Sequence, residues 1–189
     1  MAGLCHRVII LAMKMARHRT TAADSATLAK RSCFVLRLAL DDIRPPIWRR
    51  VAVPGNITLD LLHDVLQVAM GWEDYHLHEF TINGLRYTED PEEPEQGLEE
   101  TGIALMSLLA PATEKKIAFG YLYDFGDGWR HTVKVEKVAP VPAGHDIRIT
   151  CLGGKRRCPP EDVGGPWGYA DYLNAIADLD HEEHQDMLA

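Results

Sequence analysis

The sequence predicts an α+β fold, with a single domain in which an antiparallel sheet of β-hairpins is packed by helices and ends in a helical C-terminal cap. Three observations support this prediction. Apolar residues alternate along several short segments, turn signals such as Asn83-Gly84 join those segments in pairs, and one segment after Thr58 has helical period. With 189 residues, 46% of them apolar and 25% charged, the chain suits one ordinary globular domain.

Residues 1–31 differ from the rest in charge, because they hold six Lys or Arg and the single acidic residue Asp24. We expect a basic, disordered extension, since chain termini are commonly loose. The alternative is a basic arm for an anionic partner. The folded domain is then expected over residues 32–189.

The domain opens with two extended segments and a helix. Cys33–Asp41 alternates apolar with other residues, and Ile47–Val53 resumes an extended pattern after a proline-stiffened corner. These segments predict a first hairpin. Thr58 then suits a helix N-cap, and an apolar stripe at helical spacing runs to Met70, where Gly71 is placed to end the helix.

Two further hairpins follow. The first joins strand His76–Ile82 to a short strand Leu85–Tyr87, and an acidic loop over residues 89–100 comes after it. The second spans Phe119–Glu136, in which aromatic residues alternate on both strands around a glycine-flanked corner at Asp127. This central hairpin places more aromatic area beside ionisable groups than any other segment.

The C-terminal part is predicted to be a strand, a loop and two helices. His145–Cys151 is the expected strand, and a Gly- and Pro-rich loop follows it. From Trp167 the spacing becomes helical, and a second short helix is expected from Asp180, where Glu183 completes a capping box.

Several blocks together resemble the Ri-plasmid ORF-three-like family, whose members also occur as passenger proteins of insertion elements. The blocks are PPIWRRVAVP, TLDLLHDVLQVAMGW, HLHEFTING, YLYDFGDGWRHTVKVE, and CLGGKRRCPPEDVGGPWGYADYL with the following DHEEH. They cover roughly residues 33 to 189 in the family's order. The resemblance implies an α+β fold with an antiparallel sheet flanked by helices, and it implies no particular activity.

The chain departs from this family pattern at two places. Many relatives have a third Cys in the CPPED block, where this chain has Val163. Many also continue beyond the DHEEH segment, whereas this chain stops at Ala189. The first departure argues against a metal site made of cysteines, and the second leads us to expect a truncated final element.

Three histidines form the first candidate metal site. His76 and His78 lie two apart on a predicted strand and therefore point the same way, so with His131 they could offer three nitrogens to Zn²⁺ or another divalent metal. Asp124 or Asp127 could orient an imidazole or add a ligand. The competing interpretation is that the histidines are half-buried sheet residues, and no cofactor is then expected.

Catalytic candidates are grouped around the same hairpin. Asp124-Phe125-Gly126 spells a kinase metal-binding triplet, but the sequence lacks the glycine-rich loop and catalytic loop of kinases, so a hairpin corner is expected instead. Glu161 and Asp162 could act as general acid and base beside His131, although such residues more often cap loops and helices. The full set of catalytic candidates is His131, Asp124, Asp127, Glu161 and Asp162.

Cysteines give a second candidate metal site. Cys151 and Cys158 are six residues apart, outside the usual zinc-knuckle spacing, but they could join His181 and His184. A structural cysteine pair beside a solvated helix is the competing interpretation.

A basic and aromatic group forms the candidate binding surface. Arg side chains beside Trp suit stacking on single-stranded bases, although the net charge of −8 argues against general DNA coating. The residues are Trp48, Arg49, Trp129, Arg130, Lys155, Arg156 and Arg157.

Three functions remain open from the sequence. The first is a non-catalytic binding or accessory module of plasmid or mobile-element origin, with a protein or nucleic-acid partner. The second is a small metal-dependent hydrolase that uses the histidine and aspartate cluster, and the third is a purely structural domain. No nucleotide or dinucleotide motif and no membrane-spanning run is present in the sequence, so a cytoplasmic location is expected.

Overall fold

The computed structural model describes residues 32–189 except 90, 92, 94–96, 110–116, 142–146 and 189. The predicted extension at 1–31 therefore lies outside the described residues. Eight strands are described: β1 Ser32–Leu40, β2 Trp48–Pro54, β3 His78–Ile82, β4 Leu85–Thr88, β5 Leu98–Glu99, β6 Ala118–Tyr123, β7 Trp129–Pro140 and β8 Thr150–Lys155. The described helices are α1 Leu59–Met70, α2 Leu105–Leu109 and α3 Gly165–Ala177, with a 3₁₀ turn at Asp186–Leu188.

All eight strands belong to one sheet, in the order β5-β4-β3-β6-β7-β1-β2-β8. The α+β class is confirmed. The prediction of a wholly antiparallel sheet is corrected at one edge, because β4 and β5 pair in parallel and the sheet is mixed. The predicted helical C-terminal cap stays a prediction. The central hairpin β6–β7 occupies the middle of the sheet.

One face of the sheet packs against α1. Residues alternate between buried and half-buried along β1, and its buried side chains share one core cluster with Leu62 and Leu66 of α1. Burial of a leucine side chain stabilises a fold by about 2 kcal/mol, so the buried leucines of β1 and α1 contribute substantially to stability. As predicted, α1 follows Thr58 and ends at Gly71, whose φ of 94° is a left-handed conformation.

The opposite face of the sheet is uncovered in the part of the chain that the structure describes. None of the outward-facing residues of β1, β2, β3, β6 and β7 is buried among the described residues. A shallow depression of about 610 Å³ lies over β3, β6 and β7 on this face, with Gly120 in its floor. We call this surface the open face.

Three predicted boundaries differ from the structure. β3 begins at His78, because the chain turns at Asp74, where φ is 62°, and His76 therefore precedes the strand. β8 lies later than the predicted strand and starts at Thr150. The segment predicted as a helix from Asp180 forms turns before the 3₁₀ turn. Within the described ranges, no helix has both the length and the apolar character needed to cross a bilayer.

Candidate functional site

The loop between β6 and β7 is organised by Asp124. Its φ of 56° is left-handed, and its buried Oδ1 accepts hydrogen bonds from the amides of Gly126 at 2.8 Å and Asp127 at 3.1 Å. The hairpin corner expected at Asp124-Phe125-Gly126 is therefore confirmed. One carboxylate oxygen, Oδ2, takes part in neither of these hydrogen bonds.

A second loop, over residues 161–165, packs against the first. Asp127 Oδ2 accepts a hydrogen bond from the amide of Gly164 at 3.1 Å, and Glu161 Oε1 accepts one from the Tyr123 hydroxyl at 3.2 Å. Gly165 approaches so closely that a Cβ there would stand 2.3 Å from the Asp127 carbonyl oxygen. The two loops therefore form one compact unit from distant parts of the sequence.

His76, which lies just before β3, contacts both loops. Its Nε2 lies 3.0 Å from Asp162 Oδ1 and 3.6 Å from Asp124 Oδ2. The three ligand atoms all lie within 4.8 Å of one another. In the part of the chain that the structure describes, this is the one group of three His, Cys, Asp or Glu residues with metal-binding spacing. We call it the His76 cluster.

The other two predicted metal histidines lie elsewhere. His78 is buried, its Nε2 bonds Glu100 Oε1 at 2.9 Å, and its ring stacks on His63 with centroids 3.5 Å apart. His131 is also buried and its Nδ1 donates to the Tyr121 carbonyl oxygen at 3.3 Å. Burial lowers the pKa of His131 to about 4, so this imidazole is neutral at pH 7.

A buried polar network beneath these residues was missed from the sequence. The Tyr121 hydroxyl contacts His63 Nδ1 and Gln67 Nε2, each at 2.8 Å, and His63 Nε2 reaches Asp74 Oδ1 at 2.7 Å. Burial raises the pKa of Tyr121 well above its usual range. The available signal was the four-residue spacing of His63 and Gln67, which places both on the apolar stripe of α1.

The cysteine and histidine candidates do not form a described metal group. Cys158 is buried against Arg49, whose Nη2 lies 3.2 Å from its sulfur, and burial raises the pKa of this thiol to about 11. Cys151 is half-buried in β8. His184 is buried and its Nδ1 donates to a backbone carbonyl oxygen of α3, while His181 lies in the following turn and accepts an amide hydrogen bond.

The predicted binding residues are divided between the two faces of the sheet. Trp129 is fully buried, and Arg49 is 5% exposed, with its Nε donating to the Ala69 carbonyl oxygen at 2.8 Å. Trp48 and Lys155 face outward and lie opposite each other on β2 and β8. The remaining three, Arg130, Arg156 and Arg157, are exposed.

Strand register shows how the open face is built. One cross-strand row places three cations side by side, and the next row runs from a lysine and a tryptophan through small residues to an arginine. The first row is Arg50, Arg37 and Lys134, and the second is Lys155, Trp48, Ala39, Thr132, Gly120, Thr81 and Arg86. The Arg37 guanidinium carbon lies 5.1 Å from the centre of the Trp48 ring.

Comparison with known proteins gives relatives without an assigned role. The chain is 42% identical over 154 residues to the uncharacterized protein y4hQ of Sinorhizobium fredii, covering 81% of this chain and 77% of that protein. The crystal structure of MM3350, a protein of unknown function from Methanosarcina mazei Go1, matches with a TM-score of 0.74 and 36% identity, covering 85% of this chain and 89% of that chain. No catalytic role is shown by these relatives. Because the model of the plasmid pRiA4b ORF-3-like proteins matches residues 32–189, the chain belongs to that family.

Proposed function

We propose that this protein is a non-catalytic accessory module that binds single-stranded nucleic acid through its open face. The observation that carries the proposal is the row of Arg50, Arg37 and Lys134 on three adjacent strands. Like charges directly opposite each other destabilise a sheet, so their presence favours an anionic partner over a purely structural role.

The geometry of this row suits a phosphate backbone. Neighbouring strands lie about 4.8 Å apart, so three adjacent side chains span roughly 10 Å, within reach of successive phosphates. Only Arg50 has an ion pair among the described residues of the row, with Glu136 on β7. Arg37 and Lys134 therefore supply most of the attraction for phosphates.

Trp48 gives this surface an aromatic group beside the cations. The ring is half-buried and lies next to the Arg37 guanidinium, an arrangement that suits stacking of unpaired bases. The adjoining floor of Ala39, Thr132 and Gly120 leaves room for a strand to lie across the sheet. Unpaired bases are required for stacking, which favours single-stranded over duplex nucleic acid.

The negative net charge of the whole chain lowers its affinity for nucleic acid but does not prevent binding at the open face. A net charge of −8 repels polyanions at long range, and salt screens that repulsion over about 10 Å. We expect modest affinity at low salt. The family's plasmid origin is consistent with a role on plasmid or mobile-element nucleic acid in the cytoplasm.

The test is fluorescence anisotropy with a labelled oligothymidine of about 16 nucleotides. The double variant R37Q/K134Q should weaken binding about tenfold, because two phosphate contacts are lost. R157Q is the control for loss of positive charge: it removes one charge, against two in the double variant, from the loop after β8, where Arg157 lies near Tyr169 of α3. We expect its affinity to stay within about twofold of the original. Equal affinities for all three proteins would argue against the proposal, and so would the absence of binding at low salt.

A further inference from the structure

We infer that His76, Asp124 and Asp162 bind a divalent transition-metal ion of the Zn²⁺ or Mn²⁺ class. This site lies at the β6–β7 loop and not on the open face, so the inference is independent of nucleic-acid binding. An imidazole nitrogen with two carboxylate oxygens is a mixed donor set that such ions prefer, whereas Mg²⁺ and Ca²⁺ favour oxygen alone.

The separations of the ligand atoms fit a common ion. Metal bonds to nitrogen and carboxylate oxygen are about 2.1 Å long, so two ligand atoms of one ion lie about 3.0 to 4.2 Å apart. The two distances from His76 Nε2 are 3.0 Å to Asp162 and 3.6 Å to Asp124. Little movement of these side chains is needed to place them around one ion.

One buried atom of the cluster, His76 Nε2, is unsatisfied, and the Asp124 carboxylate lies beside it. His76 Nε2 is shielded from solvent and makes no hydrogen bond of acceptable geometry, although Asp162 is close. The Asp124 side chain is only 7% exposed, and its Oδ2, which accepts no described hydrogen bond, lies on the side of His76. A buried nitrogen without a hydrogen bond costs stability, and a metal ion bound to His76 Nε2 removes that cost.

The local charge also favours a cation. Asp124, Asp127, Glu161 and Asp162 lie on the two packed loops, and no ion pair with Lys or Arg reaches them among the described residues. A bound ion of charge +2 would offset this repulsion. It would also link three segments of the chain, because its ligands precede β3, follow β6 and precede α3.

The test is isothermal titration calorimetry of the full chain, purified without a histidine tag and stripped with a chelator. We expect one Zn²⁺ or Mn²⁺ ion per chain, and a higher melting temperature in the presence of that ion. D162N should weaken the affinity at least about tenfold, since it removes a ligand oxygen's charge. The Asp162 side chain is 70% exposed, so this variant is expected to fold.

D171N is the matched control, because Asp171 is an exposed acid on α3 outside the cluster. Its metal affinity should equal that of the original chain. The inference is overturned if no stoichiometric ion binds, if D162N and D171N bind equally, or if Ca²⁺ binds more tightly than either transition metal. H76Q provides a second ligand variant, and unchanged affinity in that protein also overturns the site.

Discussion

Arg37 and Lys134 lie directly opposite each other on β1 and β7, so two cations face one another across the middle of the sheet. Such a pair costs a few tenths of a kcal/mol relative to neutral residues. A binding surface explains why a sheet would carry this cost. Measurements on this pair can therefore distinguish a functional from a structural role for the open face.

Neutralising one member of this pair should separate stability from binding. We expect Lys134→Gln to raise the free energy of unfolding by about 0.3 kcal/mol, because it relieves the repulsion, while it weakens oligonucleotide binding. Urea denaturation and anisotropy measure the two effects. Lys155→Gln is the control, because Lys155 lies opposite Trp48 and not opposite another cation. This variant should bind the oligonucleotide more weakly but should not gain stability. A loss of stability above about 1 kcal/mol in Lys134→Gln would contradict this explanation.

The neighbours Arg49 and Arg50 should behave in opposite ways. Arg49→Ala removes hydrogen bonds to the carbonyl oxygens of Ala69 and Lys155 within the core, so we expect a loss of about 3 kcal/mol in unfolding free energy. Arg50→Ala should change stability by less than about 1 kcal/mol, because its ion pair is at the surface. Oligonucleotide binding should weaken in Arg50→Ala alone, when both are measured below their unfolding transitions. Similar stability losses in the two variants would be the contrary result.

The contact between the two loops should depend on glycine at position 165. Gly165→Ala places a Cβ against the backbone oxygen of Asp127, which cannot move away independently, and φ is 69°. We expect it to cost at least about 2 kcal/mol more than Gly71→Ala. Gly71 is the control because its φ is also positive but nothing lies within 4 Å of the added atom. Thermal unfolding of the two variants measures the difference, and equal costs would show that the loops do not pack closely.

His131 should make stability depend on pH. Its folded pKa of about 4 is below the usual value of about 6.5, so the unfolded chain takes up a proton first as the pH falls. The corresponding stabilisation is complete above about pH 6.5 and falls by about 3 kcal/mol as the pH drops to about 4. In His131→Phe the unfolding free energy should decline less over this window. His181→Gln, in the turn after α3, should retain the original decline. If His131→Phe and the original chain decline in parallel, the imidazole is not buried as described.

Local features of the sequence were sufficient to predict α1 and the central hairpin. The stripe before Met70, the left-handed Gly71 and the glycines around Asp127 are all properties of short segments, and the structure has each of them where expected. Period and turn chemistry act within a few residues, so a single sequence contains the needed information.

Local sequence patterns could not predict which of two adjacent strand residues faces the core. In Trp48-Arg49-Arg50 the alternation of strand residues allows either arginine to face inward. Arg49 faces inward in the structure, where it donates hydrogen bonds to the carbonyl oxygens of Ala69 and Lys155. These acceptors are far away in sequence. The binding surface predicted from the sequence therefore contained two buried residues, Arg49 and Trp129.

The His76 cluster shows the same limit. His76 was expected to share a strand face with His78, but the turn at Asp74 places it before β3 and beside Asp162. The sequence analysis placed His76 and Asp124 in one candidate metal site, but it named Asp162 only among the catalytic candidates. Their meeting depends on how the loop before α3 packs on the β6–β7 loop, which no local pattern specifies.

The most direct measurement of the central proposal is the salt dependence of oligonucleotide affinity. If Arg37, Arg50 and Lys134 each neutralise one phosphate, the logarithm of the association constant should fall against the logarithm of salt concentration with a slope of about −2. The slope of R37Q/K134Q, which keeps Arg50, should be about −0.7. An identical slope for both proteins, or a slope near zero for the original chain, would contradict the proposal that the open face binds nucleic acid.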